Sequence, residues 1–181
     1  MASATRAGVF TLAAILMTGA AAAQSAKCAK TKEVSAIQTA AIQQELMVAA
    51  LTCNEITRFD AFQTGFGPEL RASDATLARM FKRLYGPRRG EAEYHAFKTR
   101  LANDSSMRSI HDNPGYCREA ATIFSSALTP QRPRLEEFAA AVPVVEHGPV
   151  DSCDLRVGVN FSGAAPASTP KHKRHKKRSA P

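Results

Sequence analysis

The sequence predicts an all-α fold: a disulfide-stapled bundle of about five helices with a disordered, basic C-terminal tail. Three observations carry that expectation. Residues 36–53, AIQTAAIQQELMVAALTC, contain no Gly or Pro and are apolar around most of a helical wheel. Several later segments repeat apolar residues at spacings of three and four. Four cysteines stand in a chain whose start reads as an export leader.

On the wheel, Gln38, Glu45 and Thr52 form one narrow polar stripe. Ile37, Ala41, Val48 and Leu51 cover one flank, and Ile42, Leu46, Ala49 and Cys53 the other. So apolar a helix is expected to be buried and packed on more than one side. We place it at residues 32–56, capped by Thr31 or Ser35. A weak break at residues 54–58 leads to a short helix carrying Phe59, Phe62 and Phe66, an aromatic stripe that reads as core packing. Gly65, Gly67 and Pro68 end it.

Ser73 then reads as an N-cap with Asp74 in the first turn, where the helix dipole favours negative charge. Leu77, Met80, Phe81, Leu84 and Tyr85 give the cleanest amphipathic pattern, stopped by Gly86-Pro87. Its outer face carries Arg79, Lys82 and Arg83, followed by Arg88 and Arg89, and reads as solvated. The next helix is expected over residues 90–110, with Ala92, Phe97, Leu101 and Met107 on its apolar side. The poor helix formers Asn103-Asp104-Ser105-Ser106 are expected to kink or interrupt it. After a turn at residues 111–115, Cys117, Ala120, Ala121, Phe124 and Leu128 define another amphipathic helix. A short one follows at residues 134–142. Beyond Pro143, Val144-Val145 and residues 155–161 alternate weakly and read as an extended arm held down by Cys153.

The two ends are different material. Residues 1–23 have one basic residue, Arg6, then an apolar run closing on Ala21-Ala22-Ala23, the pattern of a cleaved secretory signal peptide. The run is shorter than the ~18 residues of a spanning helix, so a periplasmic or secreted protein without a membrane span is expected. Residues 24–161 form the helical domain, and residues 162–181 a linker and tail. The tail holds Lys171, Lys173, Arg174, Lys176, Lys177 and Arg178. Of the formal +8, Arg6 and these six cations account for seven, which leaves the mature body near +1.

Cys28, Cys53, Cys117 and Cys153 read as two disulfides in an oxidising compartment. A helical stretch of 25 residues spans ~35 Å, too far for Cys28 to reach Cys53. Two pairings remain: Cys53–Cys117 with Cys28–Cys153, which we prefer, and Cys28–Cys117 with Cys53–Cys153. No pair has the C-x₂₋₄-C spacing of a zinc site, and no metal or cofactor is expected.

Chemistry is sparsely signalled. Glu91 lies four residues before His95, spacing that suits an acid–base pair but also an ordinary surface pair. His111-Asp112 lacks a fixed nucleophile, although Ser105, Ser106 and Ser109 are near in sequence. Gly65-x-Gly67 is followed by Pro68 and is no phosphate loop. His172 and His175 are metal-capable residues amid repelling cations.

Residues 46–53 (LMVAALTC), 94–98 (YHAFK) and 109–112 (SIHD), with Cys117, resemble small, Ala-rich, exported helical proteins of Gram-negative bacteria that have no assigned activity. That resemblance implies a periplasmic helical bundle and covers residues 28–128; the long basic tail departs from it. The expected function is a non-catalytic periplasmic binding or interaction protein. Its partner is either another protein or an anionic envelope polymer met by the tail, and specific nucleic-acid recognition is not expected. The alternative is a small periplasmic enzyme or enzyme inhibitor using the His95/His111 region. A third idea is a stress chaperone that exposes apolar surface on acidification.

Overall fold

The computed structural model describes residues 27–145 and 148–154, and it is all-α with six helices among them. The predicted leader, the arm at residues 155–161, the linker and the tail lie outside the described residues.

Helix α1 (Thr31–Thr52) is the organising rod, with thirteen of its 22 residues buried. It packs against each of the other five helices. Neither Thr31 nor Ser35 caps it. The Glu33 carboxylate instead reaches back and accepts the backbone N–H of Lys30 at 2.8 Å. The helix stops four residues earlier than expected, because Asn54 adopts a left-handed conformation (φ 60°) that asparagine tolerates better than most residues. The polar stripe needs a larger correction. Thr52 is exposed, but Glu45 is only 2 % exposed, so that face is covered. Conversely, Leu51, predicted on a buried flank, is 75 % exposed in the last turn.

Helix α2 (Ile56–Gly65) buries Phe62, and Phe66 serves both as its C-cap and as the N-cap of α3 (Gly67–Tyr85). Gly67-Pro68 was expected only to terminate a helix; it also starts the next one. Proline's preset φ suits the first turn, where its missing N–H costs nothing. Ser73 and Asp74 therefore lie inside α3 and cap nothing, and α3 begins six residues earlier than the expected cap. Leu77, Met80 and Phe81 are buried as predicted, with Leu84 and Tyr85 packed partly against the core.

Gly86, at φ +83°, turns the chain into α4 (Pro87–His111). A Cβ on Gly90 would lie 2.6 Å from the Lys82 Cα and the Phe81 carbonyl, so α3 and α4 approach at a distance only glycine permits. No break occurs at residues 103–106. The buried line of α4 runs Gly90, Phe97, Leu101, Ser105, Ser109, whereas Ala92 is exposed and Met107 is 64 % exposed. Small residues four apart let α4 lie close to α1, and that contact outweighs their weak helix propensity.

Helix α5 (Asn113–Ala127) is capped by Asp112, whose Oδ1 accepts the Gly115 N–H at 3.0 Å. It buries Tyr116, Ala120, Ile123, Phe124 and Ala127. Helix α6 (Leu135–Ala141) is too short to stand alone in water. Phe138 anchors it, with its ring centroid 6.3 Å from that of Phe62 and 6.0 Å from that of Phe66.

Both disulfides follow the preferred pairing. Cys53–Cys117 ties the end of α1 to α5, with Cα atoms 5.6 Å apart. Cys28–Cys153 ties the chain before α1 to the segment after α6, at 5.0 Å. Beside it the Ala29 N–H donates to the Asp151 carbonyl and the Cys153 N–H to the Ala29 carbonyl, each at 2.8 Å. They form a single parallel bridge between Ala29 and Ser152.

Candidate functional site

Three polar clusters hold the helices together, and each must be weighed as chemistry. The first is buried between α1, α4 and α5. An Arg108 nitrogen lies 3.0 Å from Glu45 Oε2, another 3.6 Å from Glu119, and the guanidinium stands 5.4 Å over the Tyr116 ring. The Tyr116 hydroxyl donates to the Glu45 carbonyl at 2.8 Å. Placing a carboxylate here costs desolvation, which the nearby guanidinium offsets.

The second cluster clamps α1's first turn to α3's last. Arg83 contacts Glu33 at 2.6 Å and donates to the Cys28 carbonyl at 3.0 Å. Arg83 thus faces inward, against the expectation of a uniformly solvated basic face. Burial alone would raise the Glu33 carboxyl. Hydrogen bonds from Arg83 and the Lys30 backbone outweigh it and hold the group below its ordinary value.

The third joins α3 to α4. The Tyr94 hydroxyl lies 2.7 and 2.8 Å from the Asp74 oxygens, and Lys98 Nζ donates to Asp74 at 2.9 Å and to Tyr94 at 3.2 Å. Burial works to raise Asp74, but hydrogen bonds from Tyr94 and Lys98 hold it low. Burial and the bond to Asp74 push the Tyr94 phenol up. Burial would lower Lys98, but its bonds to Asp74 and Tyr94 raise it. Every group is thus held in the protonation state it has near neutrality, the opposite of a group tuned for proton transfer.

The second and third clusters make stability pH-dependent in a definite direction. Glu33 and Asp74, with folded values below the ordinary 4.5 and 3.8, contribute stability that is present above those values and lost as pH falls through the folded ones. Lys98 and Tyr94, raised above 10.5 and 10.0, contribute stability that is present below those values and lost as pH rises through the folded ones. Urea midpoints of the wild type are therefore expected to hold between roughly pH 5 and pH 9 and fall outside that window. The Glu33→Gln/Asp74→Asn variant should show a shallower acid limb; equal acid slopes would contradict this account.

The residues singled out for catalysis do not converge. Glu91 and His95 are both exposed on α4. His95 lines a cavity of about 370 Å³ with Gln44, Tyr94, Lys98 and Thr99. His111 sits sixteen residues further along the same helix, ~24 Å away. Ser105 and Ser109 are buried packing residues, and Ser109 donates to the Ser106 carbonyl at 2.8 Å. Gly65 accepts from Arg132 through its carbonyl. His147, His172, His175 and the six tail cations lie outside the described residues.

A second cleft, about 270 Å³, opens between α1, α3 and α6 and is lined by Lys32, Ser35, Thr39, Glu69, Thr76 and Arg134, among others. Glu69 is already engaged there, by Arg132 and by the Leu135 N–H at 3.0 Å. Among the described residues no group of three or more His, Cys, Asp or Glu side chains is placed to hold a metal, and no helix is long and apolar enough to cross a membrane.

Sequence reasoning missed the Glu45–Arg108 and Asp74–Tyr94–Lys98 clusters. Only the i, i+4 spacing of Tyr94 and Lys98 was there to be read, and it names no third partner. Comparison with protein-family models, curated proteins and solved structures found no match.

Proposed function

We propose that the protein is a non-catalytic periplasmic binding module that contacts anionic envelope material through its basic C-terminal segment. One observation carries the reading: six of the net positive charges are concentrated in residues 171–178, while the mature body is near neutral. Such a run binds anionic surfaces by charge neutralisation, with steep salt dependence. The two disulfides suit an oxidising compartment. The resemblance to exported Ala-rich helical proteins supports the same location.

The test compares retention of the mature protein on isolated envelope fractions, with and without residues 171–181, across a salt series. At roughly 1 kcal/mol per cation near an anionic surface, the truncated form should bind at least about a hundredfold more weakly. Added salt should release the full-length form. Equal retention of the two forms, insensitive to salt, would remove the tail from the function.

A further inference from the structure

We infer that the cleft between α1, α3 and α6 is a binding site for a small, uncharged, polyhydroxylated molecule of monosaccharide size. The basic C-terminal segment plays no part in this site.

The cleft is built from two helix faces at the spacing of a core seam. Ser35, Ala36 and Thr39 recur on one face of α1, and Ala72, Ser73 and Thr76 on one face of α3; all six line the cleft. Positions spaced in this way between packed helices usually carry large apolar side chains. Here they carry alanines and hydroxyls, too small to close the gap. About 270 Å³ is left between the helices, with the buried Leu135 of α6 on the third side.

Thr39 points to a ligand rather than to packing. It is 5 % exposed, yet its hydroxyl makes no hydrogen bond with another described residue. The hydroxyls of Thr52, Thr76, Thr99 and Thr122 each donate to the carbonyl four residues back, a common arrangement for a helical threonine. The Thr39 hydroxyl does not, and it lines the cleft. A buried hydroxyl without a partner lowers stability, so valine would be the more stable choice there unless a group entering the cleft bonds to it. Ser35 and Ser73, which line the same cleft, likewise make no side-chain hydrogen bond with a described residue.

The charges around the cleft cancel. Lys32 and Arg134 supply two positive charges, and Glu69 and Glu136 two negative ones. Arg134 is moreover held by Glu137, and Glu69 by Arg132. The lining thus favours neither an anion nor a cation. Serine and threonine hydroxyls both donate and accept, which matches ligand hydroxyls that do the same. Ala36, Ala72 and Leu135 offer apolar contact to the C–H face of such a molecule. The volume lies just under the ~300–1,000 Å³ of drug-sized sites, which suits a single sugar ring.

The experiment records amide NMR spectra of the oxidised mature protein with millimolar D-glucose, N-acetyl-D-glucosamine and myo-inositol, and with inorganic phosphate and free glycine as charged comparators. At least one of the three polyols is expected to shift the signals of residues 35–39 and 72–76 saturably. Thr39→Val should weaken that binding about fivefold or more. Ser73→Leu, which fills the cleft from a half-buried position on α3, should abolish it. The urea midpoint of Thr39→Val should equal or exceed that of wild type, because the unliganded protein loses no hydrogen bond. Helical circular dichroism confirms that each variant folds. If none of the polyols shifts these signals, the inference fails. Shifts by phosphate or glycine alone would overturn the ligand class. Unchanged polyol binding by Thr39→Val, or a urea midpoint lowered by that change, would show the hydroxyl to be structural and overturn the site.

Discussion

Reducing both disulfides is expected to unfold the mature protein at ambient temperature, or to leave it within a few kcal/mol of doing so. Cys28–Cys153 closes a loop of 125 residues and Cys53–Cys117 one of 64. On the loop-entropy model these bridges contribute about 5 and about 4 kcal/mol. A domain of this kind has only about 5–15 kcal/mol in total. The two bridges act on different parts. Cys53→Ser/Cys117→Ser should loosen α5 from the end of α1 and lower the urea midpoint of the whole bundle. Cys28→Ser/Cys153→Ser should first release the segment at residues 150–154. Amide exchange would show this as early loss of protection at Ala29 and Cys153, whose N–H groups make the bridge hydrogen bonds. An unchanged urea midpoint after reduction would show that helix packing alone holds the fold.

Arg108→Ala is expected to destabilise the protein by about 3–5 kcal/mol, because it strands the Glu45 carboxylate in the core. Glu45 is 2 % exposed, and Arg108 stands 3.0 Å from its carboxylate. The reciprocal change should cost less. Glu45→Gln removes the buried charge, while Arg108 keeps Glu119 at 3.6 Å and part of its surface in water. A loss of about 1–2 kcal/mol is expected there. The double replacement Glu45→Leu/Arg108→Leu should recover much of the Arg108→Ala loss, since a buried ion pair is rarely worth more than well-packed apolar side chains. Chemical denaturation of the three variants decides the matter. Equal costs for Arg108→Ala and Glu45→Gln would show that the carboxylate is not the group at risk.

The helices themselves were legible because helix formation is local. The three-and-four spacing of Leu77, Met80 and Phe81, the stop at Gly86-Pro87 and the apolar girth of residues 36–53 all concern neighbours within a turn or two. Errors clustered where one residue type has two local meanings. Gly67-Pro68 ends one helix and begins another, and Ser73 resembles a cap although α3 is already under way. The candidate site was less legible. Glu91 and His95 share an exposed helix face ~24 Å from His111, whereas Tyr94 and Lys98 on the same stretch form a network through Asp74, twenty residues upstream of Tyr94.

The sequence by itself determined that the chain is all-α, that residues 36–53 form its most buried helix, and that Cys28 does not pair with Cys53. Each follows from the 3.6-residue period and the rise per residue, properties of the backbone that need no knowledge of neighbours. Only the tertiary structure decided which cysteines meet and why Ser105 and Ser109 are buried. It also decided that Glu45 is a core residue. Those outcomes depend on which helix lies across from which. Glu45 meets Arg108 from 63 positions away, and a partner at that distance leaves no periodic trace in the chain around it.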